Sequence, residues 1–214
     1  MRNVLAFVGL ALALGLSTAA DEPKTGSDGF VQLFNGKDLS GWITHPADKA
    51  KWEVKDGVIV GTGPAGHLYS ERKDFVDFVY RVEAMISDKG NSGQYFRATF
   101  GKGFPPGYEV QINSTGSDSI RTGSLYPDGK DKYSPEEREK MLVKEQLHKP
   151  NEWFTQEVTV NGNHFVIKVN GKQTIDFVDA KNRHKKGHFA IQQHDPGTII
   201  KIRKVEVKEL PAAK

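Results

Sequence analysis

Two short stretches of this 214-residue chain carry polar side chains at every second position. Glu109 and Gln111 alternate with apolar residues in the first, and Gln192 and His194 flank Gln193 in the second. Successive side chains of a β-strand point to opposite faces, so each polar pair shares one face of its strand. A carboxylate, two amides and an imidazole form a poor core, and they predict the floor of a sugar-binding site.

The strand before the first stretch adds two candidates, because Tyr95 and Arg97 are also two residues apart. Arg97 is positioned to pair with Glu109, and a pair of this kind would suit Glu109 to ligand orientation better than to proton donation. The alternative for Glu109 and Gln111 is a solvent-facing pair on an edge strand. Asn91 precedes Ser92-Gly93 in what is either a simple turn or a loop that binds sugar hydroxyls.

His194 has the context of a proton-transfer group, since it ends a strand and precedes Asp195-Pro196-Gly197. A histidine side chain exchanges protons near neutral pH, which suits it to act as an acid or a base. The other histidines lack this context, and we predict surface or packing roles for His45, His67, His148, His164, His184 and His188. No histidine pair has the spacing of a metal site, so no metal cofactor is predicted. A structural calcium ion stays open, with oxygen donors but no calcium-loop spacing at Asp74, Asp77 and Asp118.

The elements that must position these residues are short alternating strands separated by Gly, Asn and Asp. The pattern predicts strands over 31–34, 51–54, 58–61, 67–70, 75–86, 93–100, 108–113, 153–160, 164–169, 173–177, 188–193 and 198–210. Asp56-Gly57, Asn161-Gly162 and Asn170-Gly171 predict hairpins with type I′ turns. Ser134-Pro135-Glu136-Glu137 has the pattern of a capping box and predicts one surface helix that runs to about Gln146. The expected fold is all-β, an antiparallel jelly-roll sandwich with one short helix.

The first twenty residues have the pattern of a secretory signal peptide, with Arg2 before an apolar run and small residues at 17–20. We expect a linker over 21–28, one domain over 29–210, and a periplasmic or secreted product without a membrane span. The chain has no Cys, which excludes disulfides, thiolate catalysis and a lipid anchor. A formal charge of +3 and scattered basic residues do not indicate nucleic-acid binding. The sequence does not determine the oligomeric state.

A series of short motifs occurs in order along the chain, at residues 33–42, 52–59, 91–97, 107–112, 122–126, 151–153, 169–171, 187–194 and 202–205. Together these motifs resemble those of the 3-keto-disaccharide hydrolase domain family. The family differs from this chain at Phe154 and over 202–205. The resemblance implies a concanavalin-like sandwich that is exported and acts on glycosides oxidised at C3.

A ketone at C3 makes the C2 proton acidic, so that cleavage can proceed by proton abstraction, elimination and addition of water. This route needs a base, an acid and donors to the enolate. His194 is the candidate base or acid, and Glu109 is its partner or a substrate anchor. Substrate-binding roles are predicted for Arg97, Gln111, Gln192, Asn91, Tyr95, Tyr126 and Trp153.

Two functions of other classes compete with a 3-keto-glycoside hydrolase. A non-catalytic carbohydrate-binding module would use the same sandwich, because a fold does not decide function. A structural protein of the cell envelope would need no convergent polar groups on the sheet. A laminarinase-type mechanism is disfavoured, since it needs two carboxylates about 5–5.5 Å apart and Glu109 has no acidic residue two positions away.

Overall fold

The structure is a computed structural model that describes residues 25–26, 28–127 and 133–211. The predicted signal peptide lies outside these residues. Of the predicted linker, residues 25, 26 and 28 are described, and Thr25 forms an isolated β-bridge with Val31. Among the described residues, no helix has the length and apolar character that a membrane span requires.

The described chain forms thirteen strands and one helix, in agreement with the predicted all-β fold. The strands are β1 (Val31–Gln32), β2 (Trp42–Thr44), β3 (Lys51–Lys55), β4 (Val58–Thr62), β5 (Gly66–Ser70), β6 (Phe78–Ile86), β7 (Ser92–Ala98), β8 (Tyr108–Ile112), β9 (Phe154–Asn161), β10 (His164–Val169), β11 (Lys172–Val178), β12 (His188–Gln193) and β13 (Ile200–Glu209). The helix is α1 (Pro135–Lys140). Each predicted strand is present, and β2 is the strand that the sequence pattern missed.

Two antiparallel sheets form the sandwich. The larger has the order β11-β10-β9-β6-β13-β4-β3, with β1 also paired to β13, and the smaller has the order β2-β5-β12-β7-β8. Apolar side chains from both sheets meet between them, and Phe189 of β12 stacks on Tyr80 of β6 with ring centroids 3.9 Å apart. Strands β7 and β12 are adjacent in the smaller sheet although about a hundred residues separate them, and this long-range pairing assembles the predicted site.

The two sheets differ in how much of their outer faces is exposed to solvent. Strand β6 of the larger sheet alternates buried and half-buried residues, as expected when one face packs on the core and the other faces solvent. In the smaller sheet every residue of β5, β7 and β12 is buried. Loops therefore cover the second face of this sheet, and the polar residues on it lose most of their contact with water.

Two of the three predicted hairpins have the expected turn. Positive φ angles occur at Asp56 (51°) and Gly57 (76°), and at Asn170 (49°) and Gly171 (80°), as a type I′ turn requires. The third prediction was wrong by one residue, because Asn161 pairs with His164 and the turn residues are Gly162 and Asn163.

The helix begins as predicted and ends early. The Ser134 side chain accepts a hydrogen bond from the Glu137 backbone N–H, and the Glu137 side chain accepts one from the Ser134 backbone N–H. These two hydrogen bonds complete the capping box. The helix ends at Lys140 rather than near Gln146, because Met141 and Val143 are buried in the core. The Met141 carbonyl accepts a hydrogen bond from the Leu125 backbone at 2.9 Å, so an irregular segment replaces the last predicted helical turns.

Arg97 is a structural residue at the end of β7. Its φ angle of 50° and a register shift between β7 and β12 mark a β-bulge. The buried guanidinium donates to the carbonyls of Val76, Gly162 and His184 and to Asp77 Oδ1 at 3.3 Å. It thereby ties the start of β6, the β9–β10 turn and the segment before β12 to one another, and burial lowers its pKa.

Replacing Arg97 should destabilise the fold far more than replacing an exposed arginine. Arg97→Met leaves Asp77 buried beside an uncharged side chain, and we expect the free energy of unfolding to fall by about 3–5 kcal/mol. Arg72→Met is the matched control, since Arg72 pairs with Glu209 at 2.8 Å while 48% exposed, and its loss should cost about 1 kcal/mol or less. Urea unfolding of both variants measures the difference, and equal losses would contradict the assignment.

Candidate functional site

A cavity of about 240 Å³ lies on the face of the smaller sheet that points away from the larger one. Seven of the nine predicted site residues line it, namely Asn91, Tyr95, Glu109, Gln111, Tyr126, Gln192 and His194. Phe104, Pro105 and Gly107 complete the lining. The cavity is somewhat smaller than the ~300–1,000 Å³ typical of small-molecule sites, so it suits a ligand of about one sugar ring.

Strand register brings the floor residues together. Glu109 is directly opposite Tyr95 in the β7–β8 pair, and Tyr95 is opposite Ala190 in the β7–β12 pair. In the next polar row, Gln111 of β8 is directly opposite Gly93 of β7. On β12 this row includes Gln192, which follows Ile191. Because these rows are two residues apart on each strand, their side chains occupy the same face.

A chain of hydrogen bonds crosses three strands of this floor. Gln192 Nε2 donates to Tyr95 Oη at 3.0 Å, and the Tyr95 hydroxyl donates to Glu109 Oε2 at 2.7 Å. A carboxylate only accepts hydrogen bonds, so the single phenolic proton is directed to Glu109 and the Tyr95 oxygen accepts from the amide. This order of hydrogen bonds fixes the orientation of the Gln192 amide, so its Oε1 does not face the Tyr95 hydroxyl.

Gly93 makes room for the Glu109 side chain. A Cβ atom at position 93 would lie 2.8 Å from both Cγ and Cδ of Glu109, closer than unbonded carbon atoms approach. The carboxylate therefore folds over the glycine to reach the Tyr95 hydroxyl. Gly93 is a site residue that the sequence reasoning placed at the start of a predicted strand and in the turn or loop before it, without a role at the site.

His194 is oriented by the residue that follows it. Its Nδ1 is 3.0 Å from Asp195 Oδ2, and the same oxygen accepts a hydrogen bond from Thr198 Oγ1 at 3.2 Å. Because the carboxylate only accepts, Nδ1 carries the proton and the neutral ring keeps its lone pair on Nε2. Thr198 Oγ1 also accepts from the Asn91 backbone at 2.9 Å, which links the Asn91 loop to the histidine.

The remaining walls come from loops. The Tyr126 backbone donates to the Glu109 carbonyl at 2.8 Å, so the segment before the undescribed residues 128–132 runs beside β8 and carries Tyr126 to the cavity. Phe104 comes from the β7–β8 loop, and its side chain is 65% exposed. Its ring centroid is 5.9 Å from that of His194, which gives the cavity an apolar wall beside the imidazole.

His67 is a further residue of this region that sequence reasoning assigned to the surface or to packing. It is 2% exposed, and it contacts Tyr95 edge-on with ring centroids 5.1 Å apart. Neither ring nitrogen has a hydrogen-bond partner. Burial lowers its pKa to about 4, opposed by the charge of Asp48 and reinforced by that of His194. The sequence signal that could have identified His67 is its position two residues before Tyr69, because side chains on this strand alternate between two faces as they do on β12.

Arg97 lies outside the cavity, contrary to prediction. The β-bulge breaks the alternation of β7, so that Ala98 packs with Tyr95 and Arg97 turns away. Arg97 pairs with Asp77 rather than with Glu109.

Trp153 also lies outside the cavity. Arg203 of the larger sheet lies over its ring, 4.4 Å from the centroid. Trp153 precedes β9, which belongs to the larger sheet, and it is not among the residues that line the cavity. In the part of the chain that the structure describes, no group of three or more His, Asp or Glu side chains is arranged to hold a metal ion.

Comparison with solved structures defines the class of fold. A candidate glycosyl hydrolase from Parabacteroides distasonis is 22% identical, with a TM-score of 0.64 over 86% of this chain and 95% of its own. The carbohydrate-binding module CBM66 from Bacillus subtilis is 16% identical, with a TM-score of 0.59 over 79% of this chain and 96% of its own. These similarities show a β-sandwich of the kind found in lectins and carbohydrate-binding modules. No curated protein matches the chain.

The family is shown by the sequence match. The model of the 3-keto-alpha-glucoside-1,2-lyase-like domain matches residues 29–208, and the chain belongs to this family. The resemblance read from the motifs is thereby confirmed.

Substituting Gly93 should impair the site without unfolding the protein. In Gly93→Ala the new methyl group displaces the flexible Glu109 side chain and breaks its hydrogen bond to Tyr95, so we expect ligand affinity or turnover to fall at least about tenfold. Gly101→Ala is the control, because a Cβ there meets no atom within 4 Å. Thermal unfolding and a ligand titration of both variants test this, and a Gly93→Ala protein with normal function would contradict it.

His67 should make stability depend on pH. The unfolded chain binds a proton at His67 below pH about 6.5, whereas the folded chain resists it down to about 4. The unfolding free energy should therefore fall as the pH drops through this window, by on the order of 3 kcal/mol. His67→Phe removes this contribution, and denaturant unfolding from pH 7 to pH 4 should then show a smaller decrease. His148, whose pKa burial also lowers, is present in both proteins and cancels in the comparison.

Proposed function

We propose that this chain cleaves 3-keto-glycosides in the cavity by elimination and hydration. Family membership supports a carbohydrate-related function, hydrolase-like or carbohydrate-binding. The observation that carries the narrower proposal is the presence in one cavity of two proton-handling groups, His194 oriented by Asp195 and Tyr95 bonded to Glu109. The N-terminal sequence pattern supports export as part of the same proposal.

The chemistry uses the acidity that a C3 ketone confers on the C2 proton. A base removes that proton, the electron pair forms the C1–C2 double bond, and the C1–O bond breaks with its electrons on the leaving oxygen. An acid protonates that oxygen and releases the alcohol. Water then adds to the enone, its oxygen to C1 and a proton to C2, so that the net change is hydrolysis.

The residues of the cavity match these requirements. His194 Nε2 accepts the C2 proton, and Asp195 stabilises the resulting imidazolium through Nδ1–H. Tyr95 turns its hydroxyl from Glu109 to the leaving oxygen and donates its proton there, after which the Gln192 amide stabilises the phenolate and Glu109 accepts a hydrogen bond from a substrate hydroxyl. In the hydration step Tyr95 recovers a proton from water and His194 returns its proton to C2. Amide groups of Asn91 and Gln111 supply donors for the enolate oxygen.

Direct hydrolysis by two carboxylates has less support. It requires a second carboxyl group about 5–5.5 Å away in a retaining enzyme or ~6.5–9.5 Å away in an inverting one. Among the described residues that line the cavity, Glu109 is the one carboxylate.

Turnover in deuterated water tests the proposed route. The purified protein should release the alcohol from a 3-keto-glucoside but not from the unoxidised glucoside, and the sugar product should carry deuterium at C2. His194→Ala should lower kcat by about 10²–10⁴-fold. His164→Ala is the matched control, because it removes an exposed His–Asp pair, 2.7 Å from Nε2 to Asp176, on β10 outside the cavity. Product without deuterium, beyond the exchange seen with no protein present, would overturn the elimination route.

The second candidate is a non-catalytic carbohydrate-binding module, favoured by the structural similarity to CBM66. It predicts binding of both sugars without release of the alcohol. It also predicts that His194→Ala retains affinity, whereas loss of an aromatic wall residue such as Tyr126 weakens it.

A further inference from the structure

Beside the cavity, two buried polar side chains on neighbouring strands have atoms without a hydrogen-bond partner. His67 of β5 and Gln192 of β12 are 2% and 1% exposed, and they are directly opposite each other in the β5–β12 pair. Both ring nitrogens of His67 and Oε1 of Gln192 have no hydrogen-bond partner. Opposed residues of an antiparallel pair have Cβ atoms about 4.5–5.5 Å apart, so the two side chains can bind one small group between them.

The chemistry of the two groups is complementary and defined. The neutral imidazole offers one N–H donor and one acceptor nitrogen. One of the two N–H groups of the Gln192 amide donates to Tyr95 Oη at 3.0 Å, and the atom of this side chain without a partner is the acceptor Oε1. A group that satisfies both must accept a hydrogen bond from His67 and donate one to Gln192 Oε1. A hydroxyl does this, whereas a carboxylate or ketone cannot donate and an ammonium cannot accept.

Phe104 lies beside His67. Its ring centroid lies 6.3 Å from that of His67, and the side chain is 65% exposed, so an outward rotation sacrifices little buried apolar surface. The loop that carries it is closed at its base by the Thr99 N–H to Pro106 carbonyl bond of 2.8 Å. Within the loop the Tyr69 hydroxyl donates to the Gly101 carbonyl at 3.1 Å and the Gly103 N–H donates to Asp48 Oδ1 at 3.5 Å, so the movement required is a rotation of the Phe104 side chain and not an opening of the loop.

We propose that His67 and Gln192 form a hydroxyl-binding subsite beside the cavity that Gln192 lines, reached when Phe104 moves aside, and that this subsite selects sugars with a hydroxyl at one ring position. The inference rests on the proposed function, since it takes the cavity to bind a carbohydrate. It adds His67 as a specificity-determining residue, which acts neither as the base nor as the acid of the reaction.

Calorimetric titration with a methyl glucoside, its 3-keto form and the set of monodeoxy analogues tests the subsite. In His67→Phe we expect affinity for the parent sugars to fall about tenfold, while affinity for one deoxy analogue stays unchanged. His67→Gln, which keeps an N–H donor and an acceptor, should restore much of the discrimination. His67→Leu covers the case in which the phenyl ring does not fit, and thermal unfolding checks that each variant is folded.

The other outcomes separate two failures. If the wild-type protein binds the sugars but His67→Phe weakens all of them equally, His67 has only a structural role and the subsite is refuted. Unchanged affinity for every sugar would mean that a water molecule occupies the pair, which also refutes it. If the wild-type protein binds none of these sugars, the proposed function itself fails, and the subsite fails with it.

Discussion

Burial of both faces of the smaller sheet is the constraint on which the rest of the structure depends. One face of β5, β7 and β12 packs on the larger sheet through residues such as Leu68, Phe96 and Ile191, and loops cover the other. Polar groups on the covered face cannot rely on water, so they must pair with one another or with a ligand. The Gln192–Tyr95–Glu109 chain satisfies part of this demand, and the groups left over face the place where a ligand would bind.

The larger sheet illustrates the opposite solution. Its outer face also has a depression, of about 370 Å³, but the charged groups there pair with each other. Arg81 contacts both Glu157 and Glu206 at 2.8 Å, and Lys204 contacts Glu206 at 3.0 Å. These charges pair with each other, and none of the described residues that line the depression has a buried side-chain atom without a hydrogen-bond partner, in contrast to His67 and Gln192.

In the proposed elimination route the cavity supplies the groups that a C3-oxidised sugar needs, and the described residues that line it include no second carboxylate for ordinary glycoside hydrolysis. A ketone lets a single base start the reaction by removing a carbon-bound proton, so an imidazole with a fixed tautomer suffices where a pair of carboxylates would otherwise be required. The hydrogen bond from His194 to Asp195 supplies that tautomer. The acid, Tyr95, is on the neighbouring strand β7 and opposite Ala190, four residues before His194, so the two groups are separated mainly along the strands, by roughly 13 Å between Cα atoms at the usual rise per residue.

Alternation within a strand is a local property, so the sequence alone determined that Glu109 shares a face with Gln111 and that Gln192 shares one with His194. Turn chemistry likewise determined the hairpins at Asp56-Gly57 and Asn170-Gly171 and the start of the helix. Which strands become neighbours was decided by tertiary packing, and only this pairing put His67 opposite Gln192. The bulge that turns Arg97 to Asp77, the contact of Trp153 with Arg203 and the early end of the helix at Met141 were decided in the same way. Each of these depends on contacts with residues distant along the chain, whose free energies no local pattern contains.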